Sequence, residues 1–140
     1  SSVGEFLSII PILEKLERSN FKISLPVTKT NSAMDFYEWC FQEPLKVSDR
    51  GIPEPFTIKK VFPDVLIVPL VGFDRNKFRL GYGGGFYDRY IFRVSKFKKI
   101  LTIGFAFSFQ ETKYIPRNKF DQKLDFILTD KGIIKWKFYF

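Results

Sequence analysis

A dense run of glycines is the feature that most constrains this chain: four of its nine glycines fall within positions 81–85. The apolar run at 64–70 precedes them and predicts a buried strand, and residues 90–94 can continue the chain as a helix. A strand, a glycine loop and a helix in this order present backbone N–H groups and a helix dipole to an anion. Glycine suits the loop because a side chain would keep the backbone from closing on that anion. The pattern therefore predicts a nucleotide-phosphate site.

The other patterns favour the α/β class. Apolar residues at helical spacing predict a helix over 9–18, and a strand follows it. Two prolines predict a rigid loop over 51–55, and the polar stretch 109–123 predicts irregular structure. The basic, aromatic tail from residue 131 is either a covering element or a frayed end. The predicted strands are 21–27, 34–40, 64–70, 100–107 and 125–129.

Length and composition predict one folded domain over residues 1–140, since 45% of the residues are hydrophobic and 27% are charged. The net charge of +8 would suit nucleic acid, a membrane surface or small polyanions such as nucleotides. The basic residues are spread along the chain. This spread favours a generally basic surface over a dedicated nucleic-acid patch.

The residue types that are missing also limit the chemistry. The chain has no histidine, which excludes histidine acid–base catalysis, histidine-ligated metals and Ser-His-Asp hydrolysis within it. Any metal must then rest on oxygen ligands, which favours Mg²⁺ over Zn²⁺. The single cysteine, Cys40, excludes an intrachain disulfide. With no signal-peptide pattern and no apolar run long enough for a bilayer, a cytoplasmic setting is expected.

Two neighbouring segments carry a family resemblance. The segments Val-Pro-Leu-Val-Gly-Phe-Asp at 68–74 and Arg-Leu-Gly-Tyr-Gly-Gly-Gly-Phe-Tyr-Asp-Arg at 79–89 resemble the signature of 5-formyltetrahydrofolate cyclo-ligases, also called methenyltetrahydrofolate synthetases. The resemblance covers nearly the whole chain and its motifs occur in the family's order. Further matching segments are 23–26, 36–39, 51–55, 104–107, Gln110, 115–116 and Asp121.

The resemblance implies a fold and a reaction. The fold would be a three-layer, Rossmann-like sandwich with a mainly parallel central sheet. The reaction would be an ATP-dependent ligation in one-carbon metabolism: the γ-phosphate of ATP activates the formyl oxygen of 5-formyltetrahydrofolate, N10 attacks, and 5,10-methenyltetrahydrofolate, ADP and phosphate result. Phosphoryl transfer depends on positioning and charge neutralisation, so a chain without histidine can perform it. ATP and Mg²⁺ are the implied cofactors, and a monomer without nucleic-acid or membrane partners is expected.

The resemblance also implies roles for single residues. Arg79 and Arg89 would be the catalytic cations, and Asp88 and Asp121 would hold Mg²⁺. Each has a plainer alternative, such as a surface salt bridge for Arg89, a helix-capping or salt-bridging carboxylate for Asp88, or a loop aspartate for Asp121. The implied ATP-binding residues are Arg79, Leu80, Gly81, Tyr82, Gly83, Gly84, Gly85, Phe86 and Tyr87. The implied folate-binding residues are Val3, Glu5, Trp39, Glu54, Tyr82 and Phe86, of which Phe86 and Trp39 could equally be core residues.

Departures from the family pattern support an alternative function. The family begins with a basic helix and a first strand, and both are expected to be missing before Ser1. Leu7 stands where the family carries a second acidic residue, and Phe120 stands where it carries histidine. These changes would suit a catalytically weakened or inactive remnant that binds folate or nucleotide. A third reading, an RNA-binding accessory protein, rests only on the net charge of +8.

Overall fold

The computed structural model describes residues 2–29, 33–81 and 84–135, and side chains from residue 9 onward. The chain divides into two compact units, Ser1–Pro63 and Asp64–Phe140. Both helices and strands form, so the predicted α/β class is confirmed at that level. The bounds of the elements in the first unit are α1 Ser2–Arg18, β1 Ile23–Thr28, β2 Met34–Trp39, β3 Leu45–Val47, β4 Pro53–Pro55 and β5 Lys60–Val61.

The first unit is built from α1 and two antiparallel sheets. Strands β1, β2 and β5 form one sheet in that order, and β3 pairs with β4 in the other. β1 buries alternate residues, Ile23 and Leu25, as a half-covered strand does. The carboxylate of Glu17 accepts a hydrogen bond from the backbone N–H of Phe41 at 3.1 Å, which joins the end of α1 to the end of β2.

Two predictions for this unit need correction. The helix begins at Ser2 rather than at residue 9, and it includes Pro11 in its interior. The expected rigid loop over 51–55 contains β4, whose residue Pro53 pairs with Val47. Proline is tolerated in this strand because a two-stranded sheet consists only of edges.

Where the structure describes it, the second unit carries a four-stranded sheet, a short hairpin and one α-helix. The sheet order is β11–β10–β9–β6, with β6–β9 and β9–β10 parallel and β10–β11 antiparallel. β7 and β8 form an antiparallel hairpin. The bounds of the elements are β6 Val65–Val68, β7 Gly72–Phe73, β8 Arg79–Leu80, α2 Phe86–Val94, β9 Leu101–Phe105, a 3₁₀ turn Ser108–Gln110, β10 Phe126–Thr129 and β11 Gly132–Ile134.

The predicted mainly parallel central sheet is not confirmed. Among the strands of the described residues only β6, β9 and β10 pair in parallel, and the other strand pairings are antiparallel. The connections explain the difference, since a parallel neighbour needs a long crossover, whereas a short loop returns the chain as a hairpin. Residues 69–100 and 106–125 are long enough for crossovers, whereas short loops join β1 to β2 and β3 to β4; β5 pairs antiparallel with β2 although residues 40–59 separate them.

The core of the second unit lies on the parallel strands and on one face of α2. Val68 of β6 and Ile127 of β10 are fully buried. On α2, Tyr90, Ile91 and Val94 are buried at helical spacing. Burying each such aliphatic side chain stabilises the fold by about 1.5–3 kcal/mol, so α2 is held in place by its inner face and its N-terminus is left for other contacts.

Candidate nucleotide-phosphate site

The glycine loop leads directly from β8 into α2. Gly85 is the N-cap residue of α2, with φ 67° and ψ 13°, a left-handed conformation that favours glycine. No side chain from this residue caps the helix. The first N–H groups of a helix have no partner within the helix, and together with the helix dipole they make a helix N-terminus attractive to an anion. Tyr82 and Gly83 lie outside the described residues.

Two guanidinium groups lie against this loop. A Cβ added to Gly81 would collide with Nη1 of Arg79, and one added to Gly85 would lie 2.7 Å from Nη1 of Arg89. A Cβ at Gly84 would lie 2.8 Å from the ring of Phe86. The loop therefore needs small residues because side chains pack on its backbone, and two of those side chains are cations.

Arg79 is the more buried of the two cations, with its side chain 6% exposed. Its Nη1 donates a hydrogen bond to the carbonyl oxygen of Pro69 at 3.1 Å, and its Nη2 lies 3.5 Å from Oδ2 of Asp88. Within the part of the chain that the structure describes, the buried Nε has no hydrogen-bond partner. A buried donor without a partner is unfavourable and uncommon in folded proteins. Nε–H is therefore a donor that an anionic ligand beside the loop could satisfy.

The structure brings both predicted metal-binding aspartates to one neighbourhood. Oδ1 of Asp88, on α2, accepts a hydrogen bond from the backbone N–H of Gln122 at 3.1 Å, and Gln122 directly follows Asp121. Asp121 Oδ2 accepts from the N–H of Asn118 at 2.8 Å. No group of three or more Asp, Glu, Cys or His side chains suited to a metal occurs in the described part of the chain. Two carboxylates fit Mg²⁺, which commonly takes one or two from the protein and its other oxygens from phosphates and water.

A buried carboxylate holds the hairpin that carries Arg79. Asp74 is 1% exposed, and its Oδ1 accepts from the backbone N–H groups of Asn76 and Phe78 at 2.9 and 3.2 Å. Its Oδ2 accepts from the N–H of Ile115 at 3.0 Å and from Nη2 of Arg117 at 2.8 Å. Oδ1 thus binds the β7–β8 turn and Oδ2 binds the loop at 115–117, so this aspartate joins the turn to the loop.

The other predicted nucleotide-binding residues surround the loop. Leu80 is 52% exposed, Phe86 and Tyr87 are half-buried, and Arg89 is exposed. The guanidinium carbon of Arg89 lies 5.2 Å from the centre of the Phe86 ring, and that of Arg79 lies 5.8 Å from the Tyr87 ring. The loop is thus flanked by cations and aromatic rings.

The predicted folate-binding residues belong to the first unit, apart from those at the loop. Trp39 is 5% exposed and its Nε1 donates to the carbonyl oxygen of Glu43 at 3.1 Å, a core position. Glu54 is buried in β4. Val3 and Glu5 fall within α1, but their side chains lie outside the described residues. Their contacts with substrate stay predictions.

Sequence reasoning missed two buried charged residues in the β7–β8 turn. The sequence patterns assigned no function to Asp74, although an aspartate two residues before an asparagine, here Asn76, is a common turn signal. Lys77 is 3% exposed and has φ 66°, and no pattern predicted either property. Burial, and then the nearby charge of Lys123, lower the pKa of Lys77, while Asp125 opposes that change.

Neither helix of the described residues combines the length and the apolar character that are needed to cross a bilayer.

The chain resembles known proteins over most of its length. A model of the 5-formyltetrahydrofolate cyclo-ligase family matches residues 2–130. The 5-formyltetrahydrofolate cyclo-ligase of Escherichia coli K12 is 34% identical over 133 residues, which cover 90% of this chain and 72% of that protein. The Haemophilus influenzae cyclo-ligase is 33% identical over 129 residues, covering 87% of this chain and 68% of that protein.

A solved structure agrees with these relatives. The NMR structure of Aquifex aeolicus 5,10-methenyltetrahydrofolate synthetase matches with a TM-score of 0.74 and 31% identity, covering 91% of this chain. The match spans 64% of the Aquifex chain, a little less than two thirds. The family predicted from the glycine motif is confirmed, and the chain belongs to the 5-formyltetrahydrofolate cyclo-ligase family.

Proposed function

We propose that this chain catalyses the ATP-dependent cyclisation of 5-formyltetrahydrofolate to 5,10-methenyltetrahydrofolate, with release of ADP and phosphate. The γ-phosphoryl group moves to the formyl oxygen, N10 forms a bond to the formyl carbon and loses its proton, and the C–O bond then breaks so that phosphate leaves with that oxygen and takes up the proton. One observation carries the proposal within this family: α2 begins after Gly85, which has no side chain to cap the helix, behind glycines on which the guanidinium groups of Arg79 and Arg89 lie.

The proposal assigns the phosphate charge to backbone and guanidinium donors. The N–H groups of the first turn of α2 would hold the triphosphate, as helix N-termini hold anions in general. Arg79 would donate its unpartnered Nε–H to a phosphate oxygen. Arg89, exposed beside Gly85, would neutralise charge that develops during transfer. This division needs no histidine, in agreement with the composition.

Asp88 and Asp121 are the residues proposed to hold Mg²⁺. Bound there together with ATP, the ion would neutralise phosphate charge and orient the γ-phosphoryl group. Backbone hydrogen bonds position both carboxylates: Gln122 N–H donates to Oδ1 of Asp88, and Asn118 N–H donates to Oδ2 of Asp121. These hydrogen bonds orient the two carboxylates before any ligand binds, which favours binding because less motion is lost.

The remaining proposals concern the substrate and the setting of the enzyme. Val3, Glu5, Trp39 and Glu54 are proposed to contribute to the folate site, as the family resemblance implies. Residues 1–140 are proposed to form one cyclo-ligase domain in which the parallel strands β6, β9 and β10 belong to the central layer of a three-layer sandwich. A monomer in the cytoplasm is proposed on the same resemblance.

Turnover by the purified chain tests the proposed function. The protein is incubated with ATP, Mg²⁺ and 5-formyltetrahydrofolate, and the near-ultraviolet absorbance of the methenyl product is followed. We expect absorbance to rise only when all three are present, with one phosphate released for each product molecule. A folded protein that binds both substrates without forming product would refute the catalytic proposal and identify a binding remnant.

A matched pair of variants tests the role of the loop. Gly84→Asp places a carboxylate where phosphate would lie and should abolish ATP binding and turnover. Ile58→Asp is the control, because it adds the same charge at a side chain that is 92% exposed in the first unit. If both variants retain turnover while circular dichroism shows them folded, the loop does not hold the triphosphate.

A further inference from the structure

Two exposed phenylalanines stack on each other after the carboxyl end of β9. Phe107 is 59% exposed and Phe109 is 81% exposed. Their ring centres are 5.4 Å apart and the ring planes are inclined by 8°. Single exposed apolar residues are ordinary, but a stacked pair of exposed rings leaves an outer ring face on which a further planar ring can stack. Parallel strands β6, β9 and β10 end on this side, and ligands of α/β sheets bind beyond the carboxyl ends of such strands.

Hydrogen bonds hold the pair in place. The carboxylate of Asp130 accepts from the backbone N–H of Ser108 at 2.6 Å and from its hydroxyl at 3.2 Å. The N–H donor is the main reason that the pKa of Asp130 is lowered. The N–H of Phe107 donates to Oε1 of Gln110 at 2.7 Å. The backbone between the rings is thus fixed from two directions, although the rings themselves are exposed.

The same segment lies beside the start of the glycine loop. Nε2 of Gln110 donates to the carbonyl oxygen of Val71 at 3.0 Å, and the N–H of Val71 donates to the carbonyl oxygen of Leu80 at 2.7 Å. Leu80 is followed directly by Gly81. A second link is the bridge between Phe73 and Glu111, which joins the segment to the β7–β8 hairpin. Two hydrogen bonds therefore connect the turn bearing the aromatic pair to the residue before the loop.

We propose that Phe107 and Phe109 form a stacking platform for the planar heteroaromatic ring of a molecule bound at the glycine loop. The inference rests on the proposed function, which supplies two such rings: the adenine of ATP and the pterin of the folate. Aromatic side chains bind such rings by stacking, whichever polar groups the ring carries. The platform would add affinity through the ring, while the loop would add affinity through the phosphates.

Calorimetry on the full chain tests the platform with three ligands: ATP, inorganic triphosphate and 5-formyltetrahydrofolate. The variants are Phe109→Ala and Phe107→Ala, and Phe109→Tyr keeps a stacking ring. Phe21→Ala is the control, because Phe21 is 59% exposed like Phe107 but lies in the first unit. We expect both alanine variants to raise the Kd of one ring-bearing ligand about tenfold or more. The tyrosine variant, the control and all affinities for inorganic triphosphate should match the wild type.

The outcomes separate the two possible rings and the two proposals. Weaker binding of ATP alone identifies adenine as the stacked ring, and weaker binding of the folate alone identifies the pterin. Wild-type affinity of both alanine variants for both ligands overturns the platform while leaving the proposed function intact. A folded wild-type protein that binds neither ATP nor the folate overturns the proposed function, and the platform with it.

Discussion

The structure predicts that replacing Asp74 by asparagine destabilises the protein strongly. All groups that contact this carboxylate are donors: Oδ1 faces the N–H groups of Asn76 and Phe78, and Oδ2 faces Ile115 N–H and Nη2 of Arg117. An asparagine amide must turn its NH₂ group toward one pair of donors in either orientation. Two hydrogen bonds are lost in each case, and one charged partner is left without its counter-ion.

The magnitude follows from burial. Removing one member of a fully buried ion pair costs about 3–5 kcal/mol. The Asp74 side chain is 1% exposed but that of Arg117 is 23% exposed, so water can partly solvate the remaining charge. We therefore expect a loss near the lower end, about 3 kcal/mol. For a chain of this size such a loss lowers Tm by roughly 10 °C.

Urea unfolding of Asp74→Asn and of a matched control measures this difference. The control is Asp64→Asn, whose carboxylate pairs with Lys98 at 2.8 Å but is 90% exposed. Exposed pairs contribute little, so the control should change the free energy of unfolding by less than about 0.5 kcal/mol. Equal losses in the two variants, or an Asp74→Asn variant as stable as the wild type, would refute the reasoning from burial.

Three further predictions follow from single residues. Gly85→Ala should lower stability by about 1–2 kcal/mol in thermal unfolding, because alanine is strained at φ 67°; an unchanged Tm would contradict that backbone conformation. Gly104→Ala should lower the free energy of unfolding by about 1–3 kcal/mol by overpacking, since its Cβ would lie 2.8 Å from Leu70 and 2.9 Å from Leu124. An unchanged free energy of unfolding would show that these two side chains move aside. Because the pKa of Lys77 is lowered in the folded state, the stability of the wild type should rise relative to that of Lys77→Met as pH increases from 7 toward the unfolded lysine pKa of about 10.4. Parallel profiles of unfolding free energy against pH for the two proteins would contradict this.

The sequence was most informative where local chemistry determines structure. The glycines at 81–85 and the apolar run before them predicted a strand, loop and helix; the structure contains β6 and α2, and it places the β7–β8 hairpin between β6 and the glycines. The helix begins at Phe86, earlier than the predicted 90–94, because Gly85 can adopt the left-handed N-cap conformation. Asp88 and Asp121 were predicted together from the family motif, and the Gln122 hydrogen bond brings them into one neighbourhood.

Long-range contacts were harder to predict. Nothing in the sequence indicates that Asp74 contacts Arg117, since the partners are far apart in the chain and the contact depends on the completed fold. Strand direction was hard to predict for a related reason: it depends on how the connections between strands run, and hydrophobic periodicity does not report it, so the mainly parallel sheet is not confirmed. The exposed pair of Phe107 and Phe109 was hidden among eighteen phenylalanines, most simply read as core residues.

The central claim is that backbone N–H groups at the start of α2, together with Arg79, hold the triphosphate of ATP. The most direct test is an NMR titration of the ¹⁵N-labelled chain with ATP and Mg²⁺. We expect the amide resonances of Gly84, Gly85 and Phe86 and the Nε–H resonance of Arg79 to shift together and to saturate. Saturable ATP binding that leaves these four resonances unmoved would contradict it.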